Sequence, residues 1–290
     1  MSPPATFDLA AGRTLAVRTC AFIPLALLAA CASSPMTRSG SLSSYSGLTP
    51  SNRASTNSQI RVDKEEVLAA KTVRISATRF GDGVGAGLTE ENRALVANRV
   101  DRALCKTLST RFDIVDVASP ADLSIQATIT RLDATNKVAA AGSMVVGFVS
   151  PIPIVTPRIP IGLGSLTVEA EALDAEGNQQ AAMIWSRGAQ MVSIGDSSSV
   201  SEIGDAYQLA AAFGENFGDL MTRGESPFKG SPVKLPTFGK KTDDACDAYG
   251  TEGGVAGFFA DSFGMPPSMA DKGAKPAAKP EAQPPVTTDR

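Results

Sequence analysis

The 290-residue chain is 43% hydrophobic and 20% charged, enough to bury the core of one or two domains. Its 27 Lys and Arg against 30 Asp and Glu leave a net charge of −3, so no overall basic field attracts a phosphate backbone and no nucleic-acid partner is expected. Histidine is absent, which removes Ser–His and Cys–His catalysis, histidine phosphorelays and His-bearing zinc sites; no cofactor and no metal is expected.

At the N-terminus Arg13 and Arg18 precede an uncharged, Ala- and Leu-rich stretch over residues 19–30. A basic start followed by a short apolar run is the pattern of an export signal, and this run is too short to cross a bilayer as a helix. It ends in Leu28-Ala29-Ala30-Cys31, which resembles the lipobox of bacterial lipoproteins. The resemblance implies removal of residues 1–30 as a signal peptide, cleavage between Ala30 and Cys31, and acylation of the Cys31 thiol, with membrane lipid as the partner of that residue. Each buried methylene of such a chain contributes about 0.8 kcal/mol, so two or three chains hold almost irreversibly. Ala32, rather than Asp, follows the cysteine, the pattern that in such lipoproteins permits transfer to the outer membrane. The folded part is then expected to face the periplasm, an oxidising compartment.

Residues 31–65 are expected to form a flexible tether, because Ser, Thr, Gly and Pro dominate up to about Asn57 and leave little apolar surface to offset ordering entropy. Within it Leu42, Tyr45 and Leu48 recur three apart. They are candidates for a docking strand or turn that fixes the domain's height above the membrane, and incidental packing on the domain accounts for them equally well. The segment Ser39-Gly40-Ser41-Leu42-Ser43-Ser44-Tyr45-Ser46-Gly47-Leu48 also resembles the mature N-terminus of a family of uncharacterised bacterial lipoproteins, grouped as a domain of unknown function, that opens Ser-Gly-Phe-Leu-x-x-Tyr-Ser-x-Leu. Ser41 stands in place of Phe. The resemblance extends over about residues 39–225 and implies a location and a fold; the family has no activity to transfer.

Residues 66–227 are predicted to be an α+β domain. Val73, Ile75 and Ala77 alternate with polar neighbours as in a half-buried strand. After a glycine-rich turn, Val96, Val100, Ala103, Leu104 and Leu108 fall at helical spacing behind Thr89 as N-cap and Glu90 and Glu91 in the first turn. Residues 112–117 form a second strand, so that strand–helix–strand implies parallel neighbours. Leu123, Ile125, Ala127 and Ile129 mark a third strand, and residues 166–173 and 183–190 flank the turn Asp174-Ala175-Glu176-Gly177-Asn178 as a hairpin. Ile203, Tyr207, Ala210, Phe213, Phe217, Leu220 and Met221 line one stripe of a last helix, which Gly224 and Pro227 end. The order βαββββα predicts a five-stranded mixed sheet with both amphipathic helices on one face. Residues 228–290, interrupted by Pro and Gly and then rich in Pro, Ala and Lys, are expected to be an irregular to disordered tail.

Four features invite a site. Gly81-Asp82-Gly83-Val84-Gly85-Ala86 satisfies G-x-G-x-x-A formally, but Asp82 places negative charge inside the supposed phosphate cradle, and a flexible connector is expected instead. The uncharged run over residues 138–157 is long enough to span a membrane, yet Pro151, Pro153 and Pro157 forbid a continuous helix. It is either an apolar loop over the core or a flap, residues 138–164, that contacts lipid or a partner protein. Cys105 and Cys246 are the two cysteines left by loss of Cys20 and acylation of Cys31, and an oxidising compartment makes a disulfide between them one outcome and two free thiols the other; Cys105 lies off the apolar stripe and is expected near the exposed side. Glu169 and Glu171 share one strand face, and Asp113, Asp116 and Asp122 cluster near another; charges on a wet sheet face explain them more simply than a catalytic or cation-binding pair.

The expected role is that of a lipid-anchored periplasmic lipoprotein, a non-enzymatic binding or assembly module of the envelope with an envelope protein as partner. The alternatives are a carboxylate-dependent envelope hydrolase and a binder of lipid or another apolar ligand under the 138–164 flap.

Overall fold

The computed structural model describes residues 36–53, 55–135, 155–157, 163–189, 192–194, 201–229, 244–250, 266–271 and 273. The export signal, Ala30 and Cys31 lie outside the described residues, as does most of the 138–164 flap. The strands are β1 (Thr49–Pro50), β2 (Thr56–Val62), β3 (Thr72–Ile75), β4 (Arg79–Phe80), β5 (Asp113–Val115), β6 (Leu123–Asp133), β7 (Val155–Pro157), β8 (Ser165–Leu173), β9 (Gln179–Gly188) and β10 (Val192–Ile194). The helices are α1 (Lys64–Ala69), α2 (Glu90–Leu108), α3 (Gly204–Arg223) and α4 (Pro267–Ala270), with a 3-10 turn at Asp244–Tyr249.

Among the described residues, eight strands form one mixed sheet in the order β1-β2-β9-β8-β6-β3-β5, with β4 also pairing with β6. From β1 through β2, β9 and β8 to β6 each successive pair is antiparallel. β3 and β4 run parallel to β6, and β5 runs parallel to β3, so the expected β–α–β crossover through α2 is present. The α+β class is as expected, but eight strands and four helices replace five and two. Pattern reading does not find β1, β2 and β4 of this sheet; the longest of them is β2, which lies within the expected flexible tether. Its sequence Thr-Asn-Ser-Gln-Ile-Arg-Val offers few apolar residues, and what holds it is backbone pairing with β9 at seven successive positions, Thr56↔Arg187 to Val62↔Ala181. The ordered chain therefore begins well before residue 66. α1 follows at once, its N-terminus capped by the Asp63 carboxylate, which accepts from the Glu65 and Glu66 N–H groups at 3.2 and 3.3 Å.

α2 and α3 lie on one face of the sheet. Val100 and Leu104 of α2, Phe213 and Phe217 of α3, and Ile75, Ile125, Val168, Met183 and Trp185 of the sheet are all buried in one core. Trp185 meets the Phe213 ring edge-on at 5.8 Å and donates its indole N–H to Asn216 Oδ1 at 3.2 Å. The helices approach closely because α3 has no side chain where it crosses α2: a Cβ on Gly214 would stand 2.6 Å from Ala103 Cβ, and one on Gly218 2.6 Å from Thr107 Cβ. Gly224, at φ 62°, ends α3 with its N–H on the Leu220 carbonyl.

The tail also departs from expectation. Cys105 and Cys246 are joined in a disulfide across 141 residues of sequence, and Asp271 forms a buried ion pair with Arg102 at 2.5 Å. Residues 244–250 and 266–271 are thus docked on α2 rather than irregular. The same packing buries Cys105 completely, against the expectation of a near-exposed position. A helical wheel assumes one covered face, whereas α2 is covered on a second face by the returning chain.

Candidate functional site

The centre of the sheet carries an unexpected buried charge. Along β8, Leu166, Val168, Ala170 and Ala172 point to the helices, and the two-residue period of a strand sends Thr167, Glu169 and Glu171 to the opposite face. That face was expected to be wet, yet Glu169 is 1% and Glu171 4% exposed. The cover is the segment 36–48, part of the supposed flexible tether, lying across the strands as a strap.

The strap supplies hydrogen-bond donors to both carboxylates. Glu169 Oε1 accepts from the Ser39 N–H at 2.8 Å. Its Oε2 accepts from Ser39 Oγ at 2.8 Å, Ser41 Oγ at 2.6 Å, the Ser41 N–H at 3.3 Å and the Tyr45 hydroxyl at 2.5 Å. Glu171 Oε2 accepts from the Ser43 N–H at 2.9 Å, Ser43 Oγ at 2.6 Å and the Gln179 amide at 2.7 Å. Gln179 in turn donates to the Ser44 carbonyl at 3.0 Å. Ser39 and Ser41 converge on Glu169 and Ser43 on Glu171 because the strap bends as it crosses the strand, a course that Gly40 permits at φ 85°. Burial by itself would raise the Glu169 pKa, but the donors from Ser41, Tyr45 and Ser39 more than reverse it, and the carboxyl is held below its ordinary value of 4.5. Burial and the bond to Glu169 push the Tyr45 hydroxyl upward.

The three residues singled out by their spacing meet here. Leu42 is buried against Ala182 and Ile184 of β9, and Tyr45, Leu48 and Met36 pack around it as a small second core on this face. The Arg38 guanidinium lies 5.4 Å from the centre of the Tyr45 ring. Ser41, the residue that departs from the family's opening, is one of the donors to Glu169. Sequence pattern alone does not single out Ser39, Ser41 or Ser43. The available signal was two acidic residues alternating within an otherwise apolar strand, matched by serines of the same period 130 residues earlier.

The remaining candidates disperse. Residues 81–87 form a turn, with Gly83 and Gly85 at φ 73° and 66°, and Val84 and Leu88 rest against the core; α2 starts only at Glu90. Asp122 Oδ2 accepts from the Lys71 and Thr72 N–H groups at 2.8 and 2.9 Å, bonds that lower its pKa and fix the start of β3. Asp113 is exposed on β5 and Asp116 lies in the turn after it. Among the described residues no group of three or more His, Cys, Asp or Glu could hold a metal ion. Of the 138–164 flap, Val155–Pro157 pairs with Val192–Ile194 in a separate antiparallel ribbon; the rest lies outside the described residues except its end. That end is anchored: Asp205, at the start of α3, accepts from the Gly164 N–H and from Thr135 Oγ1, both at 2.9 Å, and so holds the chain on either side of the insertion. No helix among the described residues is long and apolar enough to cross a membrane.

Two further buried groups are structural. Asp101, buried in α2, accepts from Thr78 N–H at 3.1 Å and Thr78 Oγ1 at 2.5 Å, and desolvation raises its pKa to about 7 despite those bonds. Asp271 accepts from Arg102 and, at 2.6 Å, from the Tyr207 hydroxyl; burial raises its pKa, but these partners bring it below the ordinary value, and burial pushes Tyr207 up to about 12.

Comparison with known proteins gives one family: the profile described as "Protein of unknown function (DUF3313)" matches residues 37–217, the strap and most of the domain. No curated protein matches. Among solved structures the chain is similar to a PelC dodecamer from Paraburkholderia phytofirmans, at 8% identity and a TM-score of 0.35 over 58% of this chain and 97% of the other. It is similar also to a single-substitution variant of that dodecamer from the same organism, at 9% identity and a TM-score of 0.31 over 59% and 99%.

Proposed function

The chain belongs to DUF3313, a family of proteins of unknown function, and we propose that this member is a lipoprotein anchored to the periplasmic side of the outer membrane through acylated Cys31, acting as a non-enzymatic binding or assembly module of the envelope. One observation carries the reading: the segment that follows the candidate anchor is not a loose linker but is clamped to the sheet by seven hydrogen bonds from strap residues to two buried glutamates. A domain that takes hold of its own tether is built to control where it stands relative to the anchor. Confinement of this kind raises the domain's local concentration for any partner in the same compartment.

The hydrolase alternative finds little support in these carboxylates. An acid catalyst requires a raised pKa beside an open site, whereas Glu169 is depressed and shielded. Asp101 has the raised pKa, but it is 2% exposed and bonded to Thr78 inside the fold.

Cys31→Ser tests the anchor. The parent chain is expected in the membrane fraction, with an intact mass exceeding that of residues 31–290 by its acyl groups, and the variant in the soluble fraction. A parent chain that carries its polypeptide mass alone would refute the reading. Crosslinking with mass spectrometry of the anchored chain identifies the partner protein.

A further inference from the structure

The strap fixes not only the distance to the membrane but also which side of the domain faces it. Met36, the first described residue, packs against the small core formed by Leu42, Ala182 and Ile184, in the middle of the sheet face opposite the helices. Five residue steps lead from it to Cys31, a reach of at most about 18 Å. Without the strap the first fixed point would be Thr49 in β1, and the reach would rise to about 65 Å. The tether therefore leaves the domain from its open sheet face, and leaves it short.

That face presents several arginines although the whole chain is net negative. Sheet register places Arg61 of β2 opposite Ala182 and Arg79 of β4 beside Thr128, on the same side as Glu171 and Glu169; Arg74 of β3 lies beside Ser124 on that side too. Their guanidinium groups bond to neutral acceptors: Arg61 to Gln179, Arg74 to Ser124 and the Val117 and Ser119 carbonyls, Arg79 to Gln126. Arg38 adds a fourth cation from the strap. The carboxylates on the same side, among the described residues, are engaged elsewhere or lie at the margin: Glu169 and Glu171 are buried under the strap and satisfied by its donors, Asp133 is paired with Arg131 at 2.9 Å, Asp122 accepts from the Lys71 and Thr72 N–H groups, and Asp113 lies on β5 at the sheet edge.

We propose that the open face of the sheet, with Arg38, Arg61, Arg74 and Arg79, is a membrane-facing surface that rests on the anionic phospholipid headgroups of the leaflet carrying the anchor. The inference rests on the anchoring of Cys31 proposed above. Tether length brings this face to the bilayer, and guanidinium groups without a carboxylate partner among the described residues, held within a Debye length of an anionic surface, are attracted to it. The helical layer, with the docked C-terminal segment, then looks away from the membrane and is the side open to a partner.

The full acylated chain reconstituted into phosphatidylcholine vesicles with about 30 mol% phosphatidylglycerol tests this by arginine-selective phenylglyoxal labelling, read site by site by mass spectrometry. The reference is the soluble Cys31→Ser chain. Arg38, Arg61, Arg74 and Arg79 are expected to react about fivefold more slowly on vesicles, with Arg223, which ends α3 on the helical side, unchanged. Equal rates at all five sites on vesicles that the chain demonstrably occupies, or stronger protection of Arg223, would overturn the orientation while leaving the anchor intact. A chain that lacks acyl mass and does not float with the vesicles would instead overturn the anchor, and the orientation with it.

Discussion

Replacing Glu169 with Gln should release the strap while the rest of the domain stays folded. The carboxylate accepts two backbone N–H groups on different oxygens, Ser39 on Oε1 and Ser41 on Oε2, besides three hydroxyls. A glutamine amide has one oxygen and one NH2, so whichever way it turns, one backbone N–H faces a donor. The hydroxyls can rotate to accept from the new NH2, but the backbone cannot. One buried donor left unsatisfied costs about 1–3 kcal/mol, and with the loss of charge assistance to the others the total is about 2–4 kcal/mol. That corresponds to roughly 30- to 700-fold more frequent opening of the strap. Amide hydrogen exchange reads it directly: protection across residues 39–46 should fall by that factor, while β6, β8 and β9 keep the protection of the parent. Glu171→Gln, which meets only one backbone donor, should have a smaller effect. Unchanged exchange over residues 39–46 in Glu169→Gln would refute the assignment of Glu169 as the clamp.

Acid should open the same clamp. Because the folded pKa of Glu169 lies below 4.5, its contribution is fully present above that value and is lost as pH falls through the folded pKa, so exchange of the strap should accelerate on going from about pH 5 to about pH 3 and Glu169→Gln should lack that added dependence. Asp101 acts in the opposite sense: its folded pKa of about 7 lies above the ordinary 3.8, so stability should decline as pH rises between them, and Asp101→Asn should flatten that part of a urea-midpoint profile against pH. Replacing both Cys105 and Cys246 by Ser opens a link across 141 residues and should lower unfolding stability by about 2–4 kcal/mol in urea titrations; an unchanged midpoint would remove the disulfide from the account. Gly214→Ala should cost about 1–3 kcal/mol in thermal unfolding, because the added Cβ would press on Ala103 Cβ and on the Leu104 and Val100 backbone at 2.6–2.9 Å, whereas Gly87→Ala, with nothing within 4 Å, serves as the neutral control.

The sequence by itself determined the elements whose stabilisation is local. Thr89 caps α2 in fact as in expectation, the apolar stripe of α3 faces the core, Gly224 ends that helix, and the alternation in 123–130 and 166–173 gives β6 and β8. In each, the side chains that decide the structure lie within a turn or a strand of one another, so their spacing records it. The candidate docking residues were legible for the same reason, since Leu42, Tyr45 and Leu48 keep a regular interval. Tertiary structure alone decided the burial of Glu169 and Glu171, the ordering of β2 and the return of the C-terminal segment onto α2. Each of these depends on partners brought together by the fold: Ser39 to Glu169 across 130 residues, Thr56 to Arg187 in the sheet, Asp271 to Arg102 across 169. A serine-rich stretch and a polar strand look disordered by composition because composition counts what a segment can bury of its own, whereas their order comes from donors and backbone groups that another part of the chain satisfies.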